Sequence, residues 1–302
     1  MGRRLRIATR ASPLALWQAQ RVAALLGQEC EVVPLESLGD RVQDRPIHEL
    51  GGQGVFAKEV QAAVQRGDAD LAVHSAKDLP SGPPPDGLVL ACVPERADAR
   101  DCLVGATLDQ LAPGATVATG SVRRRAQLTA LRPDLELAEL RGNMATRLAR
   151  VPPDGSVVAA AAALQRLGWS DRIAELLDPA VMLPQVAQGA LAVECRADDV
   201  DALEQLARIE DPVARRRVDA ERAFLTRLGG GCDLPVGALA TDLGDGRLRL
   251  EGLLADPVPH RVVAEGDDPA ALGLSVAEAL LAGPRRAPDA QPDLAPDRTT
   301  GR

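Results

Sequence analysis

Ala69-Asp70-Leu71-Ala72-Val73-His74-Ser75-Ala76-Lys77-Asp78-Leu79-Pro80 starts as a mostly apolar run and ends with an ammonium next to a carboxylate. The apolar part is short, rich in small and branched side chains, and bounded by Gly67-Asp68 and Pro80, which predicts a buried strand over 69–74. In open α/β sheets, ligands bind beyond the carboxyl ends of the strands, so Lys77 and Asp78 are placed to project into a cleft. An adjacent ammonium favours an ionised carboxylate and can itself bind an acidic ligand group. A solvated charge pair in a turn is the competing explanation, and this stretch alone leaves both open.

Strand-like and helix-like segments alternate on both sides of that run, which is the mark of an α/β protein. Upstream, 5–9 reads as a strand. Ser12-Pro13 then opens a helix to about Leu26, with Ser at the N-cap and Pro at the first helical position. A strand at 31–35 and a helix at 57–66 follow, and 88–93 is a further strand. A second set has strands at 101–104, 115–118, 135–140 and 156–162, with helices starting at Ser121 and Asn143. Two similar units in tandem predict two lobes with a cleft between them. Residues 190–195 read as one more strand and 198–208 as a helix.

After Asp211-Pro212 the pattern changes. A long Arg-rich helix to about Leu228 precedes strands at 235–241, 247–254 and 261–265 and a helix at 268–282, an α+β unit with an antiparallel sheet. The expected division is 1–99 with 190–210, then 100–189, then 211–283, with 284–302 as a disordered tail rich in Pro, Asp and Arg. The stretch 39–54, with Gly51-Gly52-Gln53-Gly54, has weak periodicity and is either a mobile lid over the cleft or an ordinary surface loop.

The chain has 302 residues and a formal charge of −8, which argues against a nucleic-acid binder. No apolar run reaches the length of a membrane span. The N-terminus enters a β-like segment without the features of a secretory signal, so a cytoplasmic location is expected. Five scattered cysteines, Cys30, Cys92, Cys102, Cys195 and Cys232, with no C-x-x-C pair, argue for free thiols. With only three histidines, none spaced from a cysteine like a ligand, no metal site is expected. Lys58 and Lys77 are the only lysines, and every other basic residue is Arg.

Those arginines gather at strand ends. Thr119-Gly120-Ser121-Val122-Arg123-Arg124-Arg125 follows a strand and opens a helix, where backbone N–H groups, two hydroxyls and clustered guanidiniums make an anion site. Arg141-Gly142-Asn143 repeats that plan, with Arg147 one helical turn beyond Asn143. Arg10, beside Ser12, makes a third such corner. Arg grips planar carboxylates bidentately, so a polycarboxylate fits these corners as well as a phosphate does. No phosphate loop, dinucleotide-binding glycine pattern or serine-hydrolase elbow is present. Cys232 stands behind Gly229-Gly230-Gly231, either closing a turn as a small apolar residue or presented on a loop tip as a free thiol.

Taken together, the stretches 6–19, 74–80 and 119–128, Leu140-Arg141-Gly142-Asn143 with Thr146-Arg147-Leu148, Gln188-Gly189-Ala190 and Gly230-Gly231-Cys232 resemble, in order, the porphobilinogen deaminase (hydroxymethylbilane synthase) family. The resemblance implies an α/β fold of two lobes like type II periplasmic binding proteins, with a small α+β C-terminal domain that has a three-stranded antiparallel sheet. It implies that Cys232 holds a dipyrromethane cofactor through a thioether. On this primer, four porphobilinogens are condensed stepwise, each losing ammonia, and hydrolysis releases the linear tetrapyrrole hydroxymethylbilane. By motif, Asp78 is the carboxylate beside the pyrrole nitrogens. Ser75, Lys77, Thr119, Ser121, Arg123, Arg124, Arg141 and Arg147 match positions that hold acetate and propionate groups. Arg10, Ser12, Gln188 and Gly189 match the incoming-substrate side, and Trp17 matches a packing position.

The resemblance also implies a monomer with a small-molecule substrate and no metal, nucleic acid or membrane partner. Gln53 stands where the family's lid often carries a lysine, and Glu49 and Leu38 fall where basic residues occur. A non-catalytic small-anion binding module of the same two-lobe fold is the competing function. It needs no cysteine loop, third domain or Lys-Asp pair.

Overall fold

β1 (Leu5–Arg10) buries Leu5, Ile7 and Ala8 completely and becomes the second strand of a five-stranded sheet. The computed structural model describes residues 3–36, 57–230, 234–256 and 258–283. The expected lid at 39–54 with Gln53, Glu49 and Leu38, the cysteine loop with Cys232, and the tail 284–302 lie outside the described residues.

α1 (Pro13–Leu26) starts where expected. Ser12 Oγ accepts from Ala15 N, Pro13 takes the first helical position, and Gly27 at φ 66° ends the helix. β2 (Cys30–Leu35), α2 (Lys58–Gln65), β3 (Leu71–Ser75) and β4 (Leu88–Cys92) follow, and the chain then leaves for the second sheet. That sheet contains β5 (Asp101–Gly105), β6 (Thr116–Ala118), β7 (Glu136–Ala138), β8 (Ser156–Ala160) and β9 (Glu175–Leu176). Its described helices are α3 (Val122–Leu131), α4 (Met144–Leu148) and α5 (Ala161–Arg166). The chain then returns to the first sheet as β10 (Leu191–Arg196), followed by α6 (Val200–Ala207).

The two sheets share one plan. The first runs β2-β1-β3-β10-β4 and the second β7-β6-β8-β5-β9. In each, three strands are parallel, and the fourth lies antiparallel to both its neighbours. That fourth strand is in each case the one that has just arrived from the other lobe. Two crossover segments, 93–100 and 177–190, therefore join the lobes. Side chains alternate across the first sheet. Leu71 and Val73 pack with α1 and α6, while Ala72 packs with α2 on the opposite face. The expected α/β class and the two-lobe layout match this arrangement.

The structure shifts several expected strand ends by one or two residues and replaces one of them with a helix. The apolar run expected as a strand over 156–162 ends as a strand at Ala160, and α5 begins at Ala161. Periodicity cannot separate a buried strand from a buried helix in such a run, and Ala161-Ala162-Ala163-Leu164 has the highest helix propensity available. The two-residue β9 had no sequence signal.

The third unit also follows expectation. α7 (Pro212–Arg227) is capped by Asp211, and β11 (Val236–Asp242), β12 (Leu248–Ala255) and β13 (Pro259–Gly266) form an antiparallel three-stranded sheet. α8 (Pro269–Ala282) lies beside α7. They pack closely at Gly273, where a Cβ would stand 2.7 Å from Ala223 Cβ. Phe224, Val276 and Leu250 form a core that continues into Val93, Val186 and Ala187 of the crossovers, so this unit rests on the junction between the lobes. No described helix is long and apolar enough to cross a membrane.

Candidate active site

The carboxyl ends of β1 and β3 lie side by side because these strands are parallel neighbours. Arg10 closes β1, Ser12 caps α1, and Thr9 Oγ1 bonds Val73 O across the pair. Ser75 closes β3, and its Oγ accepts from Gln18 Nε2 at 2.7 Å. A single 3₁₀ turn, Ala76–Asp78, then turns Lys77 and Asp78 off the end of the strand.

On the second lobe, Thr119 follows β6 and is buried, with Oγ1 accepting from Ser121 N. Ser121 caps α3 by accepting from Arg124 N, and Asn143 caps α4 by accepting from Thr146 N. These caps fix the first turns that carry Arg123, Arg124 and Arg147. Arg147 Nε donates to Gly142 O at 2.8 Å, and Arg141 Nε lies 4.0 Å from Glu139 Oε1.

The two lobes meet electrostatically here. Burial first, then Arg124, push the Arg147 guanidinium below its usual range, with Asp78 acting in the opposite sense and Arg141 adding to the push. Burial pushes the Lys77 ammonium down to about 8; Asp78 and Asp101 oppose this, and Arg124 and Arg123 reinforce it. Lys77 and Asp78 from the first lobe thus sit within the field of Arg123, Arg124 and Arg147 from the second.

The structure also places Gln188 and Gly189 at this junction, on the second crossover. Gln188 is fully buried, and its Oε1 faces Lys77 Nζ at 3.2 Å. Gly189 has φ +85°, and a Cβ there would stand 2.5 Å from Ala97 O of the first crossover. The Gly189 carbonyl accepts from Arg166 Nη2 at 2.6 Å.

Sequence reasoning missed several members of this junction. Arg166 on α5 lies 5.6 Å from the centre of the Trp17 ring on α1, so Trp17 is packing and also a cation–π partner between lobes. Burial pushes Arg166 down to about 10. Asp101, wholly buried, accepts from Arg123 and Arg124. Glu221 of α7, also wholly buried, accepts from Arg96 Nη1 at 2.7 Å and from Ala187 N at 2.6 Å, one on each crossover. An acid opening an apolar strand was the available signal for Asp101. Arg166 has no sequence signal, because the alanine-rich run does not mark the start of the helix that carries it.

The family model described as "Porphobilinogen deaminase, dipyromethane cofactor binding domain" matches residues 5–204, and "Porphobilinogen deaminase, C-terminal domain" matches 215–282. The porphobilinogen deaminase of Roseiflexus castenholzii is 48% identical over 292 residues, covering 92% of this chain and 95% of that one. That of Acidithiobacillus ferrooxidans is 46% identical over 291 residues, covering 92% and 94%. The chain belongs to the porphobilinogen deaminase family. Among solved structures, the periplasmic VFT2 domain of Bordetella pertussis BvgS is 18% identical, with a TM-score of 0.36 over 68% of this chain and 86% of that one, too slight a likeness to add to the assignment.

The family's dipyrromethane cofactor, with its acidic side chains, fits the residues found here. Lys77, Arg123, Arg124, Arg141 and Arg147 outnumber the acids that face them, Asp78, Asp101 and Glu139. Arg123 Nε and Nη2 are buried with no acceptor among the described residues, although Nη1 of the same group is held by Asp101 and Leu183 O. A buried guanidinium edge without a partner is costly and suits an acidic ligand group. The four described cysteines are free. Burial pushes Cys102 up to about 12 and Cys195 up to about 11, and it raises Cys30 and Cys92 as well. Such thiols are poor nucleophiles near neutral pH.

Proposed function

We propose that this chain condenses porphobilinogen units stepwise, with loss of ammonia, onto a dipyrromethane primer held by Cys232, and releases hydroxymethylbilane by hydrolysis. The activity, hydroxymethylbilane synthase of tetrapyrrole biosynthesis, is that of the family. The observation that carries the residue assignments is the meeting of one carboxylate, Asp78, with cationic side chains from both lobes at the strand ends.

When bound, the dipyrromethane supplies the pyrrole carbon to which substrate is joined. Lys77, Arg123, Arg124, Arg141 and Arg147 hold acetate and propionate groups, aided by the hydroxyls of Ser75, Thr119 and Ser121. Arg10, Ser12, Gln188 and Gly189 form the side from which substrate arrives. Gln188 acts there through Lys77, since its amide is already committed to protein partners. Asp78 accepts the pyrrole N–H of the incoming porphobilinogen and stabilises the positive charge that develops as the C–N bond to ammonia breaks. The same carboxylate would then take up the proton released from the attacking α-carbon once the new carbon–carbon bond has formed there.

The raised pKa values of the other four thiols, three of which are buried, support Cys232 as the attachment point. The three sheets support a division into 1–99 with 190–210, 100–189 and 211–283. A cytoplasmic monomer is part of the same proposal, and the net charge of −8 supports the lack of a nucleic-acid partner.

Intact mass tests the proposal directly. The purified protein should exceed its sequence mass by one dipyrromethane, colour with Ehrlich's reagent and convert porphobilinogen to a linear tetrapyrrole. Cys232→Ser should lose all three properties. A wild-type protein without adduct or product would sink the proposal.

A further inference from the structure

Asp101 opens β5 where the first crossover ends, and its side chain is fully enclosed. Its Oδ2 accepts from Arg123 Nη1 at 2.7 Å. Its Oδ1 accepts from Arg124 Nη2 at 2.7 Å, from Arg124 Nε at 3.2 Å and from Gln188 Nε2 at 2.9 Å. Gln188 Nε2 also donates to Ala99 O at 2.8 Å. A carboxylate and a carbonyl only accept, and an ammonium only donates, so the amide of Gln188 has one allowed orientation. Its nitrogen faces Asp101 and Ala99, and its oxygen faces Lys77 Nζ.

Burial alone would push Asp101 towards its neutral form, but Arg123 and Arg124 reverse this and hold it well below the usual carboxylate range. We infer that Asp101 is a positioning residue for the acid-binding groups of both lobes: one enclosed carboxylate orients Arg123 and Arg124 directly and Lys77 through Gln188. It occupies the Nε–Nη2 edge of Arg124 and the Nη1 end of Arg123, leaving the Nε–Nη2 edge of Arg123 for a ligand carboxylate. The use of these cations to hold porphobilinogen rests on the proposed function, whereas the linkage from Asp101 to Lys77 does not.

The charged groups facing Lys77 are Asp78 of its own turn, Asp101 of β5, and Arg124 and Arg123 of α3. Removing the charge of Asp101 deletes one of the two acids that keep Lys77 protonated. Lys77 and Lys58 are the only lysines, so pH-dependent reductive methylation followed by peptide mass spectrometry reads Lys77 with an internal reference.

In Asp101→Asn, the labelling midpoint of Lys77 should fall by about half a unit or more while that of Lys58 stays put. The ratio kcat/KM for porphobilinogen should fall at least about 10-fold, with partial recovery in Asp101→Glu. The titration is repeated in a Cys232→Ser background, so that a change in adduct content is not mistaken for the effect. If Asp101→Asn does not fold, Gln188→Leu cuts the same link while leaving the arginine pairs, and it too should lower the Lys77 midpoint. An unchanged Lys77 midpoint in a folded variant overturns the inference. Loss of the proposed function would instead appear as an inactive wild type whose Lys77 still responds to Asp101.

Discussion

Asp78 and Lys77 leave the same turn of chain with opposite charges and different tasks. Lys77 faces the hydrogen-bonded junction through Gln188, while Asp78 acts on Arg147 of the second lobe. If Asp78 stabilises charge that exists only during reaction, its removal should affect kcat far more than substrate capture. Asp78→Asn is expected to lower kcat by about 10²-fold or more while KM changes by less than about threefold, measured by tetrapyrrole formation under saturating and limiting substrate. A loss of less than about tenfold in kcat would remove Asp78 from that role. This residue was legible in the sequence because a short polar turn directly after a buried strand is a local signal. The pairings of Asp101 and Glu221 were not, since their arginine partners lie 22 and 125 positions away and only folding brings them together.

Among the elements, the helix starts were the most readable. Ser12-Pro13, Ser121 and Asn143 each carry the cap chemistry on the residue itself, and each cap forms. What failed was the end of β8, where an alanine-rich run gave no mark for the change from strand to helix. Sheet order was equally hidden, because the antiparallel placement of β5 and β10 depends on the chain crossing between lobes. The crossovers themselves meet at Gly189, whose positive φ and closeness to Ala97 O leave no space for a side chain. Gly189→Ala combines backbone strain of about 1–3 kcal/mol with a steric clash, and its thermal midpoint should fall accordingly. Unchanged melting would mean that the crossovers can separate freely.

For the whole molecule, Glu221 fastens the third unit to the lobes. Besides Arg96 and Ala187 it accepts from Ala240 N at 2.9 Å, so one carboxylate joins α7, both crossovers and β11. Arg96 and Glu221 are 2% and 0% exposed, which decides the size of the effect. Glu221→Gln leaves a buried guanidinium without its counter-charge and should cost about 3–5 kcal/mol in chemical unfolding. Glu278→Gln breaks a pair whose partners are 43% and 62% exposed and should cost less than about 1 kcal/mol. Similar losses in the two variants would show that the junction is not held by this ion pair.

The returning strand β10 also dictates an order of synthesis. A ribosome delivers residues 5–92 first, yet β3 and β4 lack the strand between them until 191–196 emerges. The second sheet lies wholly within 101–176 and has every strand it needs well before then. The nascent second lobe can therefore close while the strand leading to Asp78 still has an unpaired edge, an interval in which a translating chain is most exposed to mispairing and to chaperones.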